Sequence, residues 1–187
     1  LANAAKLATP EEKVAYIFGE VKNSMKWDGT NARYTNDGTS DAWNKKLGNS
    51  TEINLILYHL LKKAEVKVYP MMVSTRDNGK VNPSLSSAWQ FNKAAVYFPV
   101  TGGFYILDAT NKNNLYNEIP QDLLNTRGFY FDREDDKFDL VLLRNTSPIR
   151  QTISINAEIK AEGNMAGTAH INSYSYNRIN ALTRYTA

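Results

Sequence analysis

The chain is 187 residues long, 42% hydrophobic and 22% charged, which fits one globular domain of ordinary composition with room for a small appendage. Its formal charge of +3 comes from Lys and Arg scattered along the sequence, so no electrostatic footprint for nucleic acid or an anionic lipid surface stands out. With no cysteine and only two histidines, His59 and His170, thiol catalysis, disulfides and thiolate metal sites are excluded, and neither a metal nor a cofactor is expected.

No apolar run is long enough to cross a bilayer, so no transmembrane segment is expected. The opening LANAAKLATPEEK lacks the basic, apolar and small-residue order of a signal peptide, and the first residue is Leu1 rather than Met. The expectation is a piece of something longer, or a processed product.

Thr9-Pro10-Glu11-Glu12 places a capping hydroxyl, a proline at the first helical position and a glutamate three residues after the threonine, which starts a helix. Val14, Ile17, Phe18, Val21 and Met25 fall on one face, so this helix runs to about Lys26. From Trp27 to Gly48 the pattern dissolves into Asp-Gly, Asn, Thr and Ser, a long loop with a short helical turn near Asp41 to Lys46. STEINLILYHLLKKAEV follows, apolar on more than one stripe, and reads as a helix buried on most sides.

Val66 to Arg76 is rich in strand formers and is broken by Asp77-Asn78-Gly79. FNKAAVYFPV and FYILDAT make two more strands joined at Thr101-Gly102-Gly103, a hairpin signal. NKNNLYNEIPQDLLNTRG is turn-rich, and FDLVLLR is another strand. QTISINAEIKAEG then alternates through Ile153, Ile155, Ala157, Ile159 and Ala161, the period of a half-buried strand, and NMAGTAHINSYSY is its hairpin partner across Gly163-Asn164. NRINALTRYTA begins a helix. Helix, long loop, buried helix and antiparallel strands make an α+β domain.

A glycine before a buried helix, a polar residue in its first turn, and polar groups at Lys93 and Asp108 on two later strands are the parts of a split site. A helix N-terminus offers free N–H groups and a positive dipole end, which suit a nucleophile. Three stretches carry a family likeness. Gly48-Asn49-Ser50-Thr51-Glu52-Ile53-Asn54 resembles the Gly-x-Cys-x-Asp/Glu helix start of the transglutaminase-like, papain-like superfamily, with Ser50 on the cysteine position. Phe91-Asn92-Lys93 resembles its histidine strand, with Lys93 on the histidine position. Tyr105-Ile106-Leu107-Asp108-Ala109-Thr110 resembles its acidic strand, and there Asp108 matches. Tyr69-Pro70 and Val73-Ser74-Thr75-Arg76 are similar to the strand after the core helix in transglutaminase-like domains of large Gram-negative envelope proteins.

The resemblance covers roughly residues 10 to 145. It implies a buried central helix packed on an antiparallel sheet in a core domain of residues 1–145, and a β-rich segment, 146–187, that starts a further domain. It also implies a periplasmic or cell-surface location in a Gram-negative bacterium and neighbouring domains of a longer chain as partners.

The departures from the family shape the functional expectation. A serine hydroxyl needs an adjacent base, unlike a thiol. His59, nine helical residues on from Ser50, is rotated to the far side of the helix, and His170 lies in the C-terminal strand pair. Lys93 is left, and a carboxylate at Asp108 favours its charged form. The expectation is a Lys93–Asp108 ion pair beside an inert Ser50 that caps the helix, with Glu52 in the first turn complementing the dipole. No catalytic residue is then expected: Ser50, Lys93 and Asp108 are vestigial positions in a non-catalytic binding or scaffolding module. Tyr34, Trp43 and Trp89, which flank the loops beside the cleft, are the candidate lining for a peptide or glycan. Two alternatives remain open: a serine hydrolase or acyltransferase using Ser50 with Lys93, and a purely structural spacer.

Overall fold

Thr9, Pro10 and Glu12 start the first helix as their spacing predicts. The Thr9 hydroxyl accepts the Glu12 amide and the Glu12 carboxylate accepts the Thr9 amide, closing a capping box on α1 (Pro10–Ser24). The computed structural model describes residues 3–145 and 148–185. They divide between two compact units, Leu1–Asn145 and Thr146–Ala187.

In the first unit α1 stops one turn-fraction earlier than its apolar face suggests, because Lys26–Trp27 (β1) turns away to pair in parallel with Leu47–Gly48 (β2). The intervening loop carries α2 (Thr39–Lys45), which ends at Lys46 in a left-handed conformation. α3 (Ser50–Lys63) buries Ile53, Ile56, Leu57 and Leu61 against Val14, Ile17, Phe18 and Val21 of α1. Each such side chain contributes about 1.5–3 kcal/mol by leaving water, which outweighs any propensity term in holding the pair together.

Five strands form one antiparallel sheet: β3 (Tyr69–Val73), β4 (Lys93–Val100), β5 (Gly103–Leu107), β6 (Thr126–Asp132) and β7 (Lys137–Leu143), in the order β5-β4-β3-β6-β7. β4 reads as a continuous apolar run because both its faces are covered. Val96 and Phe98 join the core under α1 and α3, and Ala95 joins Met71, Val73, Ile106, Leu123 and Leu143 in a second core on the other face. The result is an α+β arrangement with a buried helix on an antiparallel sheet.

Two expectations need correcting here. The strand foreseen over Val66 to Arg76 shrinks to Tyr69–Val73, because Ser74 and Thr75 leave the ladder to bond Gly79 and Asn92. β6 begins inside NKNNLYNEIPQDLLNTRG, a stretch expected to be turn-rich. Gly128 is there for closeness rather than for turning: a Cβ would come within 2.8 Å of Met71 Sδ and 3.2 Å of Val73 Cγ1.

The second unit holds β8 (Gln151–Ile159) and β9 (Met165–Ser173), a hairpin in continuous register from Gln151↔Ser173 to Ile159↔Met165, followed by α4 (Tyr176–Tyr185). The alternation along β8 predicts a half-buried strand. Instead Ile153, Ile155, Ile159, Met165 and Ile171 are 56–76% exposed, so the alternation is present and no described residue of the second unit covers it. The last two residues of the expected C-terminal helix, 186 and 187, lie outside the described residues.

Candidate functional site

The first turn of α3 is a knot of buried polar side chains. Asn49, not Ser50, is the cap: its Oδ1 accepts the Glu52 amide at 2.9 Å, and Glu52 Oε2 accepts the Asn49 amide at 2.9 Å. Ser50 is the first helical residue and fully buried. Its amide donates to Thr30 O at 3.0 Å and its Oγ accepts the Ala32 amide at 3.1 Å. Glu52 Oε1 accepts the amides of Asn36 and Asp37, both at 2.8 Å, and Asn49 Nδ2 donates to Tyr34 O. The helix start that looked like a nucleophile's seat therefore holds residues 30–37 in place. Two of its first three helical N–H groups, those of Ser50 and Glu52, are already partnered.

Beyond Ser50 the chain builds a buried ionic network. Lys93 opens β4, is 3% exposed, and its Nζ stands 2.6 Å from Asp108 Oδ2, 3.4 Å from Asp122 Oδ2 and 3.2 Å from Thr110 Oγ1. Asp108 Oδ1 accepts Asn54 Nδ2 at 2.9 Å, the Thr110 hydroxyl at 2.8 Å and the Thr110 amide at 3.2 Å. Asn54 also donates to Ala94 O and accepts the Ala109 amide, and Thr51 Oγ1 accepts the Ala94 amide, so α3 is stitched to the start of β4 and the end of β5.

The electrostatics follow from this wiring. Burial opposes the charge on Lys93, but the Asp108 and Asp122 carboxylates outweigh it and hold the ammonium above the usual lysine range. Burial likewise pushes the Asp108 carboxyl up, and the Lys93 charge with the Lys93, Asn54 and Thr110 hydrogen bonds pulls it below the usual range. Asp122 goes the other way: burial, with Asp108 adding to it, outweighs the pull of Lys93 and raises it. Its side chain remains 45% exposed, so solvent screens that effect.

An ammonium so held accepts no proton near neutrality. Among the described residues no hydrogen bond joins Ser50 to Lys93. His59 is exposed on the other side of α3 with its ring against Tyr58, and His170 lies on β9 opposite Ser154. No group of three His, Asp or Glu side chains among the described residues is placed to hold a metal ion. Likewise, no described helix is long and apolar enough to cross a membrane.

The three candidate lining aromatics do not form one groove. Tyr34 and Trp89 are exposed and linked through Arg33, whose guanidinium carbon lies 3.8 Å from the Trp89 ring and 5.7 Å from the Tyr34 ring. Trp43 packs instead against the α1–α3 core, with Lys46 Nζ 3.2 Å above its ring. Concave surfaces lined by other residues include a groove of about 490 Å³ over Met72, Phe129, Phe138 and Leu140, one of about 570 Å³ beside Arg76, Lys80 and Arg144, and one of about 680 Å³ near Tyr69, Tyr97 and Tyr130.

Sequence reasoning missed Asn54 and Asp122. Asn54 carried a signal, being a lone amide inside an apolar helix run, and such a group is buried only with partners. Asp122 sits in a turn-rich stretch, and nothing local marks it as a neighbour of Lys93.

No known family profile matches the chain, and no curated protein matches it. Among solved structures it is similar to that of a putative protease from Parabacteroides distasonis, at 17% identity and a TM-score of 0.51 over 77% of this chain. The match spans 26% of that protein's length. At this identity the likeness concerns the fold.

Proposed function

We propose that this chain is a transglutaminase-like, papain-like domain that has lost its chemistry and serves as a non-catalytic binding or scaffolding module of a multidomain envelope protein, in the periplasm or at the cell surface of a Gram-negative bacterium. The observation that carries the non-catalytic part is the commitment of both remaining groups. Lys93 Nζ is clamped 2.6 Å from Asp108, and the Ser50 hydroxyl is buried against the Ala32 amide. A serine nucleophile needs a base within hydrogen-bond reach, and among the described residues no base is bonded to the Ser50 hydroxyl, while Lys93 is held as an ammonium by Asp108. The fold likeness is to a protein described as a putative protease, which agrees with a core descended from an enzyme.

The test is labelling with a broad fluorophosphonate probe, comparing the native chain with Ser50→Ala and Lys93→Met. No Ser50-dependent label is expected. Labelling that disappears in both variants would replace this reading with a serine hydrolase or acyltransferase.

A further inference from the structure

α3 packs over β4 and β3, and the sheet face it covers continues past β3 onto β6 and β7. Met72 and Phe129 are register partners, as are Phe129 and Leu140, so these three share that face. With Phe138 on the next outward position of β7 and residues 81–91 as the opposite wall, they line the groove of about 490 Å³. Phe138 is 68% exposed there. The neighbouring groove of about 570 Å³ continues the same path, since Lys80 and Leu142 line it where Val81 and Leu140 line the first.

The two grooves differ in charge. Arg76, Lys80 and Arg144 line the second, and among the described residues no carboxylate does. Among the described residues none of these three side chains has a hydrogen bond or ion pair, whereas Lys45, Lys62, Lys93 and Lys137 each meet an acid. Three uncompensated cations around one concavity make a local positive potential that an anion relieves.

Several polar side chains of the apolar groove are already engaged with the protein, with the Ser86 hydroxyl and Asp139 Oδ2 at its rim. Gln90 is spent on Asn82 and Leu85, Asn82 Oδ1 on the Ser84 amide, and Ser87 Oγ on the Trp89 amide. On the β7 edge, the Leu140 amide is bonded to Asp139 Oδ1 at 2.7 Å and the Leu140 carbonyl to Arg127 Nη1 at 3.3 Å. A peptide laid along β7 finds the middle rung of its ladder taken. A ligand without a backbone loses nothing there.

From this we infer that the open half of the sheet face binds an amphiphilic anion, an alkyl carboxylate whose chain lies over Phe129, Phe138 and Leu140 and whose head meets Arg76, Lys80 and Arg144. The inference rests on the binding-module reading and gives it a site and a ligand class.

The test titrates the full chain with dodecanoate below its micelle-forming concentration, followed by amide chemical shifts. 1-Dodecanol serves as the headless control and acetate as the tailless one. Dodecanoate is expected to saturate and to move the Lys80, Leu140 and Leu142 signals, with acetate far weaker. Arg144→Glu and Arg76→Glu are each expected to weaken dodecanoate about tenfold, the loss of one charge-assisted contact, and to leave dodecanol unchanged. Phe138→Ser is expected to weaken both. All three positions are exposed, so these variants keep the fold, which a thermal melt verifies. The inference is overturned by the absence of saturable binding, by acetate matching dodecanoate, or by dodecanoate binding that ignores all three variants. Any of these leaves the fluorophosphonate result standing, just as Ser50-dependent labelling overturns the non-catalytic reading without touching this titration.

Discussion

The junction at the start of α3 and the β8–β9 hairpin invert the usual rule of inside and outside. The junction buries Asn49, Ser50, Glu52, Asn54, Lys93 and Asp108, and the hairpin exposes Ile153, Ile155, Ile159, Met165 and Ile171. Polar groups sit inside the first because their donors and acceptors have partners, so little desolvation is left unanswered. Apolar groups sit outside in the second because two strands alone offer them no opposite layer. Polarity decides what a side chain asks for, and burial depends on whether a partner answers.

The largest test of this contrast removes one partner inside the junction. Lys93→Met strands Asp108 and is expected to cost about 3–5 kcal/mol in urea unfolding, the penalty for leaving a buried charge unpaired. A loss under about 1 kcal/mol, typical of an exposed pair, would break the contrast.

Glu52→Ala releases three backbone amides, Asn36, Asp37 and Asn49, and is expected to cost about 2–3 kcal/mol. The loss should appear with faster amide exchange across residues 30–37, and normal protection there would mean that the loop is held by something else.

The pH dependence carries a sign for each member of the network. Asp108 is held low, so its stabilisation is present above the ordinary aspartate value of about 3.9 and is lost as pH falls through its folded value. Lys93 is held high, so its stabilisation is present below the ordinary lysine value of about 10.4 and is lost as pH rises through its folded value. Asp122, raised, opposes folding once ionised, so Asp122→Asn is expected to be neutral or slightly stabilising near pH 7. Unfolding midpoints across pH for the native chain, Asp108→Asn and Asp122→Asn check all three. An acid limb unchanged in Asp108→Asn would remove Asp108 from the account.

The smallest expected effect lies in the hairpin. Ile155→Lys replaces an exposed isoleucine and should shift stability by less than about 0.5 kcal/mol in a thermal melt. A loss above about 2 kcal/mol, the scale of a core residue, would show that another surface covers this face in solution.

Much of this arrangement was legible residue by residue. Thr9 with Glu12 marked the start of α1, and the alternation from Ile153 to Ile159 marked β8, because capping and strand period are local signals. The capping box at α3 was equally local. Asn49 stands three residues before Glu52, yet Ser50 drew attention because it occupies a nucleophile's position in the family pattern. Gly128 closes a stretch whose composition predicts turns, and its closeness to Met71 is a tertiary contact that composition does not show. Asp122 beside Lys93, and Arg33 between Tyr34 and Trp89, join distant loops. Contacts of that kind leave no periodicity to read.

The sheet order has a kinetic consequence. β4–β5 closes through the two residues Thr101 and Gly102, and β6–β7 through the four residues 133–136, whereas β3 meets β6 only across the whole intervening β4–β5 hairpin. Hairpins closing so locally form in about 1–10 μs, and long-range pairing pays its loop entropy first. The slow step of folding is then the docking of a second hairpin onto the far edge of β3. On that route a conservative change at the Met71–Tyr130 seam alters folding and unfolding rates together, and one in the 133–136 turn changes how often the docking hairpin is ready. Stopped-flow refolding of the two variants separates those outcomes.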